Sequence, residues 1–316
     1  MSSKVSRELL SLAVCLFTVA TVSCGKSDSR GAAAIYNLID DMEGMGDGHL
    51  AWGQQPGFWS SAVDCSQSPS ILPAPFFLDP SGWSYDTIPE EYQTPTMSGA
   101  ISKHAAHLRT KPGQPLQGVW GANIGFDFAE QPDPDGGVVW PPAVCIEVDP
   151  ADRKGTCPPD VGRLPTGATV NLTGFSGITF WAMASPNGRQ AISVQINDPN
   201  TDPRGGRCYS VKPNQELNVS QCYNGFAKAL MLTDTFTQYW IDFSEFQQNP
   251  SWGCRLGELD LAHVYEMNFG VDLPSCATDP YANCAGDAAA VSFDIWIDDL
   301  YFVTRPGTQL ADAGKP

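Results

Sequence analysis

The run FDIWIDDLYFV, Phe293 to Val303, decides how the rest of the chain is read. In an extended strand alternate residues point to opposite faces, and here both faces are apolar apart from Asp294, Asp298 and Asp299. A run apolar on both sides reads as a strand covered on both sides, so the acidic pair inside it asks for a physical reason. A second Ile-Asp-Asp triplet, Ile39 to Asp41, closes the apolar part of YNLIDDMEGMGDG, Tyr36 to Gly48.

Working outward, strand-like runs recur at Ile35 to Met42, His104 to Arg109, Val119 to Phe128, Gly177 to Ala184, Ala191 to Asn197, Tyr239 to Phe243 and Val264 to Val271. Clusters such as QPDPDGG and NDPNTDPRGG separate them and break either kind of element. Only Phe226 to Leu230 and Ser244 to Gln248 read as helical turns. With 26 prolines and 30 glycines in 316 residues, the pattern predicts an all-β domain over residues 35–304, a β-sandwich with jelly-roll topology and long decorated loops. Residues 305–316 read as a polar tail.

The first residues read as an address. Lys4 and Arg7 make a basic start, Leu9 to Val22 an apolar stretch too short to span a bilayer comfortably, and Thr-Val-Ser-Cys an ending. That ending resembles the lipobox of bacterial lipoproteins, with Thr21 in the place usually held by leucine. The resemblance implies a signal peptide at 1–23, lipidation of Cys24, a tether at 24–34 and an exported chain anchored to the cell envelope at the outer membrane. An ordinary secretory signal and an uncleaved anchor are the other readings, and each of them exports the chain.

Cysteine usage agrees with export. Outside Cys15 and Cys24 there remain Cys65, Cys145, Cys157, Cys208, Cys222, Cys254, Cys276 and Cys284. An even set without a C-x-x-C pair or a histidine cluster reads as disulfides rather than zinc. Cys145 with Cys157, Cys208 with Cys222, and Cys276 with Cys284 would each close a short loop rich in turn residues, leaving Cys65 for Cys254. Other connectivities are open on paper. The formal net charge of −17 argues against nucleic acid and against an electrostatic grip on anionic lipid or polymer, so contact with a membrane is expected through the N-terminal lipid only.

Motifs of chemistry are sparse. No H-E-x-x-H, G-x-S-x-G or P-loop sequence occurs. The neighbouring acids Asp40-Asp41, Glu90-Glu91 and Asp298-Asp299 would point to opposite faces of a strand, as would His104 and His107. A glycosidase-type pair would have to come from distant acids, for instance Asp127 with Glu147 or Asp242.

The order of segments carries more than any one of them: IDDME, WGANIGFDF, FSGITFWA, VQINDPNTDP, CYNGFAKALMLTDTFTQYWIDFSEFQQ, a Trp-Gly, then FDIWIDDLYFV. Together they resemble the galactose-binding-like jelly rolls, especially carbohydrate-binding modules of the family-eleven type, over about residues 35–303. Long insertions at 60–100 and 130–165 depart from a compact module. The resemblance implies that the first and last strands are neighbours and that a structural calcium sits where they meet. Its ligands would come from Asp41, Glu43, Asp47 and Asp298, with Glu43 and Asp298 the strongest candidates, because calcium takes six to eight oxygens at flexible geometry.

A sugar site stacks rings on Trp or Tyr and satisfies hydroxyls with amides and carboxylates. The candidates are Trp52, Trp59, Trp83 and Tyr85 in the early insertion, Tyr223 beside an expected disulfide, and Trp120, Asn123, Trp181 and Gln195 on strands lining a concave sheet. The expected function is non-catalytic carbohydrate binding by an envelope lipoprotein. A cell-surface protein-interaction role and a glycan-active hydrolase are the alternatives.

Overall fold

The computed structural model describes residues 35–43, 50–52, 57, 59–63, 71–72, 85–93, 101–112, 121–128, 169–202, 224–249, 257–272 and 291–304. The regular elements among them are almost all strands. In chain order they are β1 (Ile35–Asp40), β2 (Trp59–Val63), β3 (Ile71–Leu72), β4 (Asp86–Thr87), β5 (His104–Thr110), β6 (Gly121–Asp127), β7 (Phe175–Ala184), β8 (Ala191–Asn197), β9 (Phe226–Met231), β10 (Thr237–Asp242), β11 (Gln247–Gln248), β12 (Glu266–Asp272) and β13 (Asp294–Thr304). All pairings between them are antiparallel.

They form two sheets. The seven-stranded sheet runs β10-β7-β13-β5-β3, with β1 also on β13 and β4 also on β5; the six-stranded sheet runs β11-β9-β8-β12-β6-β2. Period-two alternation decides which side chains meet between them. β7 sends Phe175, Ile178, Phe180, Ala182 and Ala184 inward, and β12 answers with Met267, Phe269 and Val271. Phe180 and Phe269 meet edge to face at 5.2 Å across the gap, and β6 and β8 contribute Ala122, Ile124 and Phe126, then Ile192, Val194 and Ile196. Burying a side chain of this size is worth about 1.5–3 kcal/mol, which is why two apolar inner faces hold the sandwich together.

β13 explains the acidic pair. Ile295 and Ile297 point inward on odd numbers, whereas Leu300 and Phe302 do so on even numbers. The parity changes because the β13–β7 register slips between Asp298 and Tyr301 and Asp299 adopts φ 50°, the left-handed region. An extra residue at such a bulge flips the faces that follow. The first triplet behaves alike: β1 pairs with β13, as the resemblance implies, with a register shift between Leu38 and Asp40, and Met42 follows at φ 54°. Asn, Asp and Gly accept this region most readily, so Asp299 suits its place.

Two expectations are corrected. Residues 226–231 form a strand rather than a helical turn, because FAKALM finds hydrogen-bonding partners on β8 and β11 and tertiary pairing outweighs local propensity. Ser244 to Gln248 is helical only in its 3-10 turn at Phe243–Glu245, where Asp242 and Glu245 form a capping box, before β11 begins.

Candidate functional site

On β6, β12 and β8 the outward positions from 123 to 127, 266 to 270 and 193 to 197 are polar or glycine, and most of them are half-buried, whereas Asn197 is buried. Register places Asp127, Glu266 and Asn197 in one cross-strand row, Gly125, Asn268 and Gln195 in the next, and Asn123, Gly270 and Ser193 in a third. Asn197 Nδ2 donates to Glu266 Oε1, and Asn268 Nδ2 donates to the same oxygen at 3.0 Å. Gln195 Nε2 donates to Asn197 Oδ1 at 3.2 Å, joined there by Thr201 Oγ1 at 3.3 Å. Glu266 is therefore the hub of an amide network lying across β8 and β12.

Glycine lets this network lie flat. A Cβ at Gly125 would come 2.0 Å from Asn268 Oδ1, and one at Gly225 would come 2.2 Å from Gln195 Nε2 and 2.3 Å from Asn197 Oδ1. Gly270 differs, since a Cβ there would meet nothing closer than 3.7 Å. It lies between Asn123 and Ser193 as the low point of its row. Among the described residues, Asn268 Oδ1 accepts no hydrogen bond and the Asn123 amide has no hydrogen-bond partner, so both are candidates for contact with a ligand.

Of the expected binding residues, Asn123 and Gln195 come together on this face, on β6 and β8 with β12 between them. The tryptophans do not join them. Trp59 is fully buried, packs on Phe126 at 4.9 Å, and its indole nitrogen donates to Asp40 Oδ2 at 2.7 Å. The Tyr85 hydroxyl donates to the same oxygen at 2.7 Å, so both expected sugar contacts are core residues gathered by a buried acid. Met42 N donates to Asp40 Oδ1 at 3.0 Å; burial pushes the Asp40 carboxyl up despite these three donors. Trp52 packs edge to face against Phe128 and Phe302 at the margin of the core. Trp181 belongs to β7 in the other sheet, where it packs against a small cluster of Ile88, Ala105, Met183, Phe236 and Trp296. Trp83, Trp120 and Tyr223 lie outside the described residues, as do Cys24, the eight paired-cysteine candidates and the expected signal, tether and tail.

At the β1–β13 end Asp298 and Asp299 are buried on β13, and Asp41 and Glu43 follow β1 rather than lying on one of its faces. β1 ends at Asp40, and Glu43 reaches away to accept from Ser102 Oγ at 2.9 Å, Lys103 N at 2.6 Å and His104 N at 2.9 Å. Those donors pull its carboxyl down against the effect of burial. Asp41 accepts from Glu43 N at 3.2 Å. Asp298 is buried, and its carboxyl is pushed up to about 8, first by burial and then by the charges of Asp299 and Glu43. Asp298 and Asp299 do not face opposite ways into solvent, because the bulge buries both. Among the described residues no group of three or more His, Cys, Asp or Glu is placed to hold a metal; Asp47 lies outside them.

Two further constellations hold structure. His107 sits between Asp86 Oδ2, 2.6 Å from its Nδ1, and Asp294 Oδ1, 2.7 Å from its Nε2. Its ring stacks on Trp296 at 3.6 Å, and the hydrogen bond to His107 holds Asp86 below the usual carboxylate range. This clasp ties β4 and β13 to β5, and His104 faces Glu43 instead. Of the distant acids, Asp242 caps a 3-10 turn in one sheet while Asp127 lies on the other, and Glu147 lies outside the described residues. Sequence reading missed Asn197, Glu266 and Asn268. The signal for Glu266 and Asn268 is the alternation in EMNFGVD, Glu266 to Asp272, whose polar and glycine positions share one face, and for Asn197 it is the alternation in AISVQIN.

No family model matches the chain, and no curated protein matches it. Among solved structures it is similar to a family 11 carbohydrate-binding module from Clostridium thermocellum in complex with a β-1,3-1,4-mixed-linked tetrasaccharide. That likeness is at 13% identity and TM-score 0.38, covering 86% of this chain and 96% of that one. It is similar to a family 30 carbohydrate-binding module at 9% identity and TM-score 0.34, covering 72% and 86%. It is also similar to an exo-β-agarase at 8% identity and TM-score 0.33, covering 80% of this chain and 26% of that one.

Proposed function

We propose that this chain is a non-catalytic carbohydrate-binding protein whose site is the outer face of the six-stranded sheet. The observation that carries the reading is the pre-ordered row of half-buried amides around Glu266, with Asn123 and Asn268 Oδ1 left for a ligand. A half-buried amide without a partner is unfavourable unless something completes its hydrogen bonds, and acceptors beside carboxylates suit a ligand rich in hydroxyl donors and free of negative charge. A neutral glycan has that chemistry. Glu266 is committed to two amide donors, which fits a positioning role better than that of a free general acid.

The test is a binding screen of the purified protein against neutral gluco-, manno-, galacto- and xylo-oligosaccharides beside uronate and sulfated ones, repeated with Gly270→Leu. A Cβ at 270 makes only ordinary contacts, at 3.7 Å and beyond, so the variant is expected to keep the wild-type melting temperature while filling the low point of the face. Binding confined to neutral sugars and lost at least tenfold in Gly270→Leu is expected. No neutral ligand, or release of reducing ends that Glu266→Gln abolishes, overturns the reading, the second result in favour of a hydrolase.

Cysteine usage is the basis of one further proposal, that the eight cysteines other than Cys15 and Cys24 form four disulfides in the loops. Sequence resemblance is the basis of two more: Cys24 carries a lipid that holds the chain at the outer membrane, and the sandwich belongs to the galactose-binding-like jelly rolls. A structural calcium at the acidic end, held by Asp298 with Asp41, Glu43 and Asp47, is proposed on the same basis. The like charges that Asp299 and Glu43 bring to bear on Asp298 support it, since a cation would relieve them.

A further inference from the structure

We propose that the clasp of Asp86, His107 and Asp294 is a proton-dependent latch. It holds residues 85–93 as a strap on the outer side of the seven-stranded sheet while His107 is doubly protonated, and frees the strap when one of those protons goes to solvent. An ionised carboxylate only accepts hydrogen bonds, and His107 meets one at each ring nitrogen, Asp86 Oδ2 at 2.6 Å and Asp294 Oδ1 at 2.7 Å. Both nitrogens must therefore donate, which only the imidazolium can do. The ring lies on Trp296 at 3.6 Å and 14°, an arrangement that suits a cation, and its side chain is only 4% exposed. Without one proton a bare nitrogen faces a carboxylate oxygen, and burial hinders water from bridging the two acceptors.

The strap is the side that yields. Asp294 opens β13, which has 11 residues and pairs with β5 on one flank and β7 on the other. Asp86 belongs to β4, which has 2 residues and pairs, among the described elements, with β5 alone. Beyond β4 the strap is fastened by Ile88 N, which donates to Lys103 O at 2.8 Å. The Ile88 side chain is buried in the small cluster with Ala105, Met183, Phe236 and Trp296, against which Tyr92 also packs. Freeing the strap therefore bares an apolar cluster on the outer side of the sheet and leaves the inner faces of the sandwich in contact.

The charges around the ring balance when it is protonated. Asp86 comes from β4 and Asp294 from β13, while β5 itself brings Arg109, whose charge bears on Asp86 and whose backbone stands opposite Asp294. β7 meets Trp296 with Met183 and adds no charge there. On the strap Tyr85 is committed to Asp40 and Glu90 and Glu91 are exposed, as is Lys103; His104 turns to Glu43. Two carboxylates thus stand against one guanidinium and one imidazolium. At the acid side the limit is Asp86, which the hydrogen bond to His107 holds below the usual carboxylate range. Its contribution is complete above that range and is lost as the pH falls through the lowered value. At the alkaline side the His107 proton decides.

The test is an NMR titration of the whole protein from mild acid to the alkaline pH at which β12 unfolds. Nitrogen-labelled histidine reports the ring protons, with His107 identified through its assigned backbone. Hydrogen exchange, corrected for its intrinsic dependence on pH, reports the Ile88 N–H, and the amides of β12 report the sandwich. Both His107 nitrogens are expected to be protonated at the acid end. Ile88 protection is expected to fall about tenfold or more, the loss of one charge-assisted hydrogen bond, in the step that removes one of those protons, while β12 stays protected. Asp86→Asn is expected to flatten that fall, because an amide can accept from a protonated nitrogen or donate to a bare one. A His107 ring with a single proton wherever the protein is folded, or with two until β12 unfolds, overturns the latch. So does Ile88 protection that ignores the His107 step, follows His104 instead, or falls as far in Asp86→Asn.

Discussion

Gly225→Ala separates the order of the polar face from the integrity of the fold. Gly225 does not occupy the left-handed region, so alanine meets no backbone penalty there. Its Cβ would stand 2.2 Å from Gln195 Nε2, 2.3 Å from Asn197 Oδ1 and 2.4 Å from Gln195 Cγ. Ordinary contact needs roughly 3.5–4.0 Å, and all three atoms belong to side chains, so Gln195 and Asn197 must swing away by more than about 1 Å. That breaks the hydrogen bonds to Asn197 Oδ1 from Gln195 and Thr201 and loosens the one from Asn197 to Glu266. At about 1 kcal/mol net for each bond the loss is about 2–3 kcal/mol, offset by about 0.4–1 kcal/mol because alanine restricts the unfolded chain. The net of about 1–2.5 kcal/mol lowers the melting temperature by roughly 2–10 °C at about 2–4 °C per kcal/mol. Glycan affinity, dependent on amides that have moved, falls at least tenfold, about 1.4 kcal/mol. Differential scanning fluorimetry and isothermal titration with the best neutral glycan read the two effects. Wild-type affinity in a variant whose Gln195 and Asn197 have moved in its crystal structure refutes the claim that this network forms the site.

Two other outcomes follow from the acids. In Asp40→Asn the remaining oxygen can serve Trp59 and Tyr85, but the new amide then confronts Met42 N–H, leaving a buried donor opposed to a donor. About 2 kcal/mol of stability is expected to be lost, or roughly 4–8 °C, with a changed tryptophan emission as Trp59 loosens; an unchanged melting temperature would contradict the anchoring role of Asp40. If calcium binds at the β1–β13 end, the melting temperature rises with calcium and falls with chelator, by about 2.7 kcal/mol at a hundredfold excess over the dissociation constant. Asp298→Ala abolishes that difference, whereas Asp294→Ala lowers stability in both conditions through the lost contact with His107. Superimposable wild-type melting curves after prolonged chelation reject the ion.

The alternation of FSGITFWAMA, AISVQIN and FDIWI made the strands and their buried faces legible. Alternation assumes an unbroken strand, and that is where it failed. At Asp298 and Asp299 a bulge changes the parity, so two acids expected on opposite faces are both buried, and the Ile-Asp-Asp triplet marks an irregularity rather than a strand end. The roles of Trp59 and Tyr85 were illegible for another reason. Both occur in an insertion where aromatic residues read as surface, but each donates to Asp40, 19 and 45 residues away. A buried acid that gathers distant donors leaves no local periodicity to detect. Phe226 to Met231 misled because its composition favours a helix while its partners on β8 and β11 are remote in sequence.

The degree to which polar groups are satisfied separates structural sites from binding ones in this sandwich. Asp198, buried beside the end of β8, accepts from Asn200 N at 2.9 Å, Asn200 Nδ2 at 2.8 Å, Thr201 Oγ1 at 3.1 Å and Asp260 N at 2.9 Å. A carboxylate offers about four acceptor positions, so Asp198 has none left for a ligand and serves to fasten the turn at 198–202 to Asp260. Asp40 is nearly as full. On the outer face of the six-stranded sheet satisfaction stops halfway: amide nitrogens are directed at Glu266, and the Asn268 oxygen and the Asn123 amide are not answered among the described residues. The amides facing water are held in place by those facing protein, so a ligand there meets groups whose orientation has already been fixed on folding. Fixing them on binding instead would cost about 0.5–1.5 kcal/mol for each side chain. A shallow sheet surface needs such pre-ordering more than a deep cleft does, because it surrounds its ligand on one side only.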